Sequence, residues 1–106
     1  MSKDPGSLVD RIRSLLEQRG ADPTMPLTVM EHTLTDGYAR ALALEAERLR
    51  LERRIGELAH RLDGPEQAGE LRDLAQRLRS ADDDLASLRD VLVSLQRRVD
   101  AARAAA

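Results

Sequence analysis

The chain has no cysteine, tryptophan or phenylalanine, and a single tyrosine, Tyr38. Without cysteine it can form neither disulfide staples nor thiolate metal sites, a usage expected of a protein kept in the reducing cytoplasm. Without large aromatics, a core must be built from leucine, alanine, valine and isoleucine, which suits helices packed closely side by side. Strands have little support, because β-branched and aromatic residues are scarce and no stretch sustains an apolar-polar alternation. Long apolar runs are missing too. Nothing approaches the roughly 20 residues that span a bilayer, and residues 1–20 lack the apolar centre of a signal peptide. A soluble, cytoplasmic, all-α protein without a membrane partner is the expectation.

Several chemistries also lack their residues. No glycine-rich phosphate loop, G-x-S-x-G elbow or cysteine nucleophile is present, and the serines lie far from both histidines in sequence. His32 with Asp36, and Glu57 with His60, stand about one helical turn apart, but neither pair has a third ligand nearby. No catalytic residue, cofactor or metal site is therefore expected. Basic excess is absent as well: 17 Lys and Arg stand against 19 Asp and Glu, for a net charge of −2. The basic stretch from Arg48 to Arg54 is neighboured by Glu45, Glu47, Glu52 and Glu57. Such interleaving at helical spacing makes a solvated surface rather than a nucleic-acid footprint.

What the chain does have is period. Leu71, Leu74, Leu78, Ala81, Leu85, Leu88, Leu92, Leu95, Val99 and Ala102 follow an unbroken three-four spacing, and all are apolar. This is a coiled-coil seam, one narrow stripe of a long helix turned toward a partner. A second such series runs through Leu27, Met30, Leu34, Gly37, Ala41, Leu44, Arg48, Leu51, Ile55, Leu58 and Leu62, with Gly37 and Arg48 as its two irregular members. Between the series, Asp63, Gly64 and Pro65 spell a turn in which glycine ends one helix and proline opens the next.

The reading is one helical domain over residues 1–106. It has a short helix at 8–19, a connector at 20–26 broken by Pro23 and Pro26, a long helix at 26–62, a turn at 63–65 and a long helix at 66–104. Ser7 is the expected cap of the first helix, which turns Leu8, Ile12, Leu15 and Leu16 to one side and stops at Gly20. Thr24 is the expected cap of the second. A break with a fresh cap at Thr35 is the alternative to one continuous second helix. Folding at the turn brings residue i opposite about residue 127 − i, so Met30 falls near Val99, Leu34 near Leu92 to Leu95, and Leu51 near Leu74 to Leu78. An antiparallel hairpin results.

A lone hairpin leaves most of each helix in water. Leu42, Ala46 and Leu49 on the second helix, and Val91 and Val93 on the third, lie off the seams and form a candidate interface strip. A homodimer of two hairpins in a four-helix-type bundle, each flanked by its short helix, is the expected assembly, with a monomeric three-helix bundle as its competitor. Gly37 and Arg48 are candidate register or switch positions, and Tyr38 is expected to pack in the core with its hydroxyl at the rim. The resulting functional expectation is a non-enzymatic coiled-coil adaptor or regulator that pairs with itself and binds another protein. The alternative is a helical regulator, for example of transcription, that grips a nucleotide through Arg72, Gln76 and Arg79.

Overall fold

Three helices account for the structure, a computed structural model that describes residues 5–21, 26–61 and 64–105. They are α1 (Pro5–Ala21), α2 (Leu27–Ala59) and α3 (Pro65–Ala105). The two long helices run antiparallel and the short one packs mainly on α3. The molecule is a rod of 62 × 21 × 20 Å with a radius of gyration of 18.3 Å, against about 13 Å for a compact chain of this length. Each arm is one helix thick, so length cannot be folded away.

The two seams meet as the spacing requires. Of the α3 series, Leu74, Ala81, Leu85, Leu88, Leu92, Leu95 and Val99 are buried, and Leu71, Leu78 and Ala102 are partly so. On α2, Met30, Leu34, Gly37, Ala41, Leu44, Leu51 and Leu58 are buried, with Leu27, Arg48 and Ile55 partly covered. Leu62 and Asp63 lie outside the described residues, as does Thr24. Two clusters divide the core along its length. Near the turn, Leu51, Leu58, Leu74 and Ala81 form a purely two-helix seam. At the far half, Val9 and Ile12 of α1 join Met30, Leu34, Leu88, Val91, Leu92, Leu95 and Val99 in a three-helix core.

Several boundaries differ from the sequence expectation. The first helix begins at Pro5 and runs to Ala21, so Ser7 lies within it and Gly20 does not stop it. Proline is well tolerated in a first turn, where its missing N–H has no intrahelical partner. The buried face of α1 is set by Val9 and Ile12, with Leu8 and Leu16 packed against the cluster. Leu15, placed on that face by the sequence, is only partly buried. The second helix is continuous through Thr35 and Gly37. Thr35 does not cap a new segment; its hydroxyl donates to the Glu31 carbonyl at 3.0 Å, four residues back, a bond compatible with an unbroken helix. Pro26 precedes the helix with no side-chain cap.

Gly37 is a place of close approach. A Cβ built there would run into Leu92 Cδ2, with Leu92 Cγ at 3.3 Å and Ile12 Cδ1 at 3.6 Å. All three helices therefore converge on this residue, which gives up helix propensity of about 1 kcal/mol relative to alanine to let α1 and α3 in. The predicted consequence is a change of sign by background. Gly37→Ala should destabilise the wild-type chain, where Leu92 is 2% exposed and must be displaced, yet stabilise a Leu92→Ala chain by about 1 kcal/mol. Thermal denaturation of the four chains of the cycle measures this.

Candidate functional site

The surface is organised by charges laid across the arms. From the N-terminus of α2 through Glu47, α2 supplies acids to α3 arginines: Glu31 with Arg103 at 2.7 Å, Glu45 with Arg89, and Glu47 with Arg77 at 3.4 Å. Toward the turn the signs exchange, with Arg48 reaching Asp82 at 3.1 Å and Arg54 reaching Glu70 at 3.1 Å. These pairs are largely solvent-exposed, so water and salt screen them and each contributes little. Their pattern is more informative than their strength. A slip of one heptad that moves α3 toward higher numbers would set Glu47 against Asp84, Arg48 against Arg89 and Arg54 against Arg77. The opposite slip would set Glu47 against Glu70 and Glu45 against Asp82.

Arg48 thus sits at the rim rather than inside the seam. Its side chain is 43% exposed and its Nε lies 3.2 Å from Glu52 and 3.1 Å from Asp82. The stem covers apolar neighbours while the head stays in water. Arg48→Leu should raise the thermal midpoint by several degrees, since it extends an apolar seam and removes only exposed ion pairs, a net gain of about 1 kcal/mol.

The candidate interface residues separate onto two sides. Val91 is 6% exposed and belongs to the three-helix core with Val9 and Ile12; it is not available as an interface residue. Val93 is 51% exposed. Two residues of an α-helix are about 200° apart, so valines on either side of Leu92 leave the seam in opposite directions. α1 takes the Val91 side. The other side keeps Leu42 at 67%, Leu49 at 53% and Tyr38 at 47% exposure, with Ala46 also exposed. Tyr38 is therefore outside the core, contrary to the sequence expectation. Its hydroxyl donates to Gln96 Oε1 at 3.1 Å, and the Gln96 amide donates to Asp100 at 2.9 Å.

These contacts frame a patch. Leu42 lies between Tyr38 and Glu45 on α2, and Val93 lies between Arg89 and Gln96 on α3. The Tyr38–Gln96 bond and the Glu45–Arg89 ion pair hold those two stretches side by side, so Leu42 and Val93 are both exposed on the same side of the hairpin. Ala39, exposed like Ala46, extends the patch. The signal that would have found Ala39 is a second three-four run inside α2, namely Ala39, Leu42, Ala46 and Leu49.

On the Val91 side, beyond the three-helix core, a groove of about 510 Å³ runs between α2 and α3. Leu44 and Ala81 line it together with Arg40, Glu47, Arg77 and Asp84. Arg40 Nε is buried there without a hydrogen-bond partner. The sequence-derived trio Arg72, Gln76 and Arg79 does not converge on it. All three are exposed, Arg79 donates to Gln76 Oε1 at 2.8 Å, and only Gln76 borders the groove.

The histidine pairs are likewise surface features. His32 and His60 are exposed, Asp36 pairs with Arg11 at 3.6 Å and Glu57 with Arg54 at 3.4 Å. Among the described residues, no group of three or more His, Cys, Asp or Glu is gathered so as to hold a metal ion, and no helix is long and apolar enough to cross a membrane. Comparison with protein-family models, with curated proteins and with solved structures gave no match to this chain.

Glu47 carries a testable electrostatic signature. Its hydrogen bond with Arg50, backed by the charges of Arg50 and Arg77, holds its carboxyl below the ordinary value of 4.5. A depressed pKa in the folded state means that the stabilising interaction is complete above about pH 4.5 and is lost as pH falls through the lowered value. Glu47→Gln should therefore lower the thermal midpoint slightly at pH 7, and the gap to wild type should close in acid. Melting curves of both chains across that range provide the measurement.

Proposed function

We propose that the chain is a cytoplasmic, non-enzymatic helical-hairpin interaction module, an adaptor or regulator that pairs with a second copy and, as a dimer, engages another protein. The observation that carries the reading is the exposed surface of Leu42, Leu49, Val93 and Tyr38, on the side that α1 leaves uncovered. One charged stripe would have served solubility equally well, so a ribbon of leucines in water is a cost that a partner surface removes. The rigid charge-framed setting supports the same reading, because a preformed surface loses little entropy when it docks.

A second copy is the favoured occupant because the stripe on α2 is self-complementary. Leu42 and Leu49 alternate with the small residues Ala39 and Ala46, so a leucine of one copy has an alanine-sized hollow of the other to enter. An isologous dimer uses the same patch twice. Four leucines at about 2 kcal/mol each give about 8 kcal/mol, and an association cost of several kcal/mol offsets about half of it, which sets a weak affinity, of about millimolar order.

Light scattering, over roughly 0.1 to 5 mM to bracket that affinity, tests the reading. A mass approaching twice 11.8 kDa is expected at the upper end. Leu42→Glu with Leu49→Glu should give a monomer of unchanged helicity and of a thermal midpoint equal to that of the dilute wild-type chain, since both residues lie off the two seams. A monomer mass for the wild-type chain throughout the range would overturn the proposal.

A further inference from the structure

We infer that the second copy docks antiparallel, α2 against α2, with the two-fold axis near residue 44, so that Ala39 meets Leu49 of the second copy and Leu42 meets its Ala46. This rests on the self-pairing proposed above and adds the polarity and register that the side chains specify. In a two-helix seam, parallel chains set like positions together, whereas antiparallel chains set the two alternating positions of the repeat against each other. A parallel pair would therefore stack leucine on leucine and alanine on alanine. That alternates wide and narrow layers along two straight helices and leaves gaps at the alanines. The antiparallel pair makes every layer one leucine and one alanine, and the spacing is uniform.

The register follows from the ends of the stripe. Beyond Ala39 the same three-four series reaches Thr35, and beyond Leu49 it reaches Arg53. An axis at its centre overlaps all four apolar positions of both copies and leaves Thr35 opposite Arg53 at each end. An axis shifted by half a heptad, near residue 47 or 48, would set Leu42 against Arg53 and Ala39 against Gly56. Charge agrees with the centred register. Asp36 and Arg50, whose side chains are 67% and 65% exposed beside their own partners Arg11 and Glu47, flank opposite ends of the stripe and come to the same side of the interface between antiparallel copies. Parallel copies would bring Arg53 to Arg53. Glu45 approaches its own counterpart near the axis, but Arg89 already pairs with it in each copy.

The natural chain has no cysteine, so introduced thiols report without background. Thr35→Cys and Arg53→Cys lie at the stripe's ends, about 27 Å apart along one helix, far beyond disulfide reach of about 7 Å between Cα atoms. Under mild oxidation, each variant alone should stay uncrosslinked and an equal mixture should give a mixed disulfide dimer as the main product. Disulfide dimers from either variant alone would indicate parallel copies and overturn the inference. No crosslink in any sample, with light scattering still giving a dimer, would mean another face or register and would equally overturn it. A monomer mass would instead remove the self-pairing on which it rests. Leu42→Glu in both cysteine variants should abolish the mixed product while helicity is kept.

Discussion

Everything in this molecule depends on two apolar stripes being the same length and meeting across one turn. α2 and α3 each present a leucine-rich edge too narrow to stabilise a helix alone, and each edge is removed from water mainly by the other, with α1 completing the core of the far half. Because the stripes keep three-four spacing for their full lengths, buried residues run from Leu58 and Leu74 near the turn to Met30 and Val99 at the far end, in two clusters. Most leucine layers resemble one another, but the fit of Leu92 into the space at Gly37 belongs to one register. The acids and arginines along the edges add to that selection, with signs on α2 that exchange between Glu47 and Arg48. Weak exposed pairs can in this way favour a register without contributing much to stability.

The short helix breaks the symmetry of the rod. By packing against the Val91 side of α3 and reaching Gly37 with Ile12, α1 converts half of a two-helix seam into a three-helix core. It leaves the opposite side, with Leu42, Leu49 and Val93, in water. The proposed functional surface is thus defined by where α1 is not. Gly37 serves the same arrangement: its missing side chain is filled by Leu92 from α3 and approached by α1, so it is a packing position and gives no sign of a break in α2.

Much of this was legible in the residues because helical period is a local property. Every member of the α3 series is buried or partly buried, and every described member of the α2 series is too. The turn and the antiparallel pairing follow from arithmetic on those series. The ends of α1 were less legible, because Ser7 and Gly20 resemble a cap and a stop while helix ends are decided by a balance of small terms. Tyr38 was misplaced for a related reason. Aromatic character argues for burial, but its position beside Gly37 turns it out of the seam, where Gln96 receives its hydroxyl.

The sequence by itself determined the fold class, the two long helices, the seam residues and the hairpin, since periodicity and turn chemistry act through neighbours along the chain. Only the tertiary structure decided which off-seam residues remain in water. Val91 and Val93 are the same residue type two positions apart, and no local rule distinguishes them. One is buried and the other exposed because α1, a separate element joined through a connector, lies on one side of the hairpin and can cover only that side.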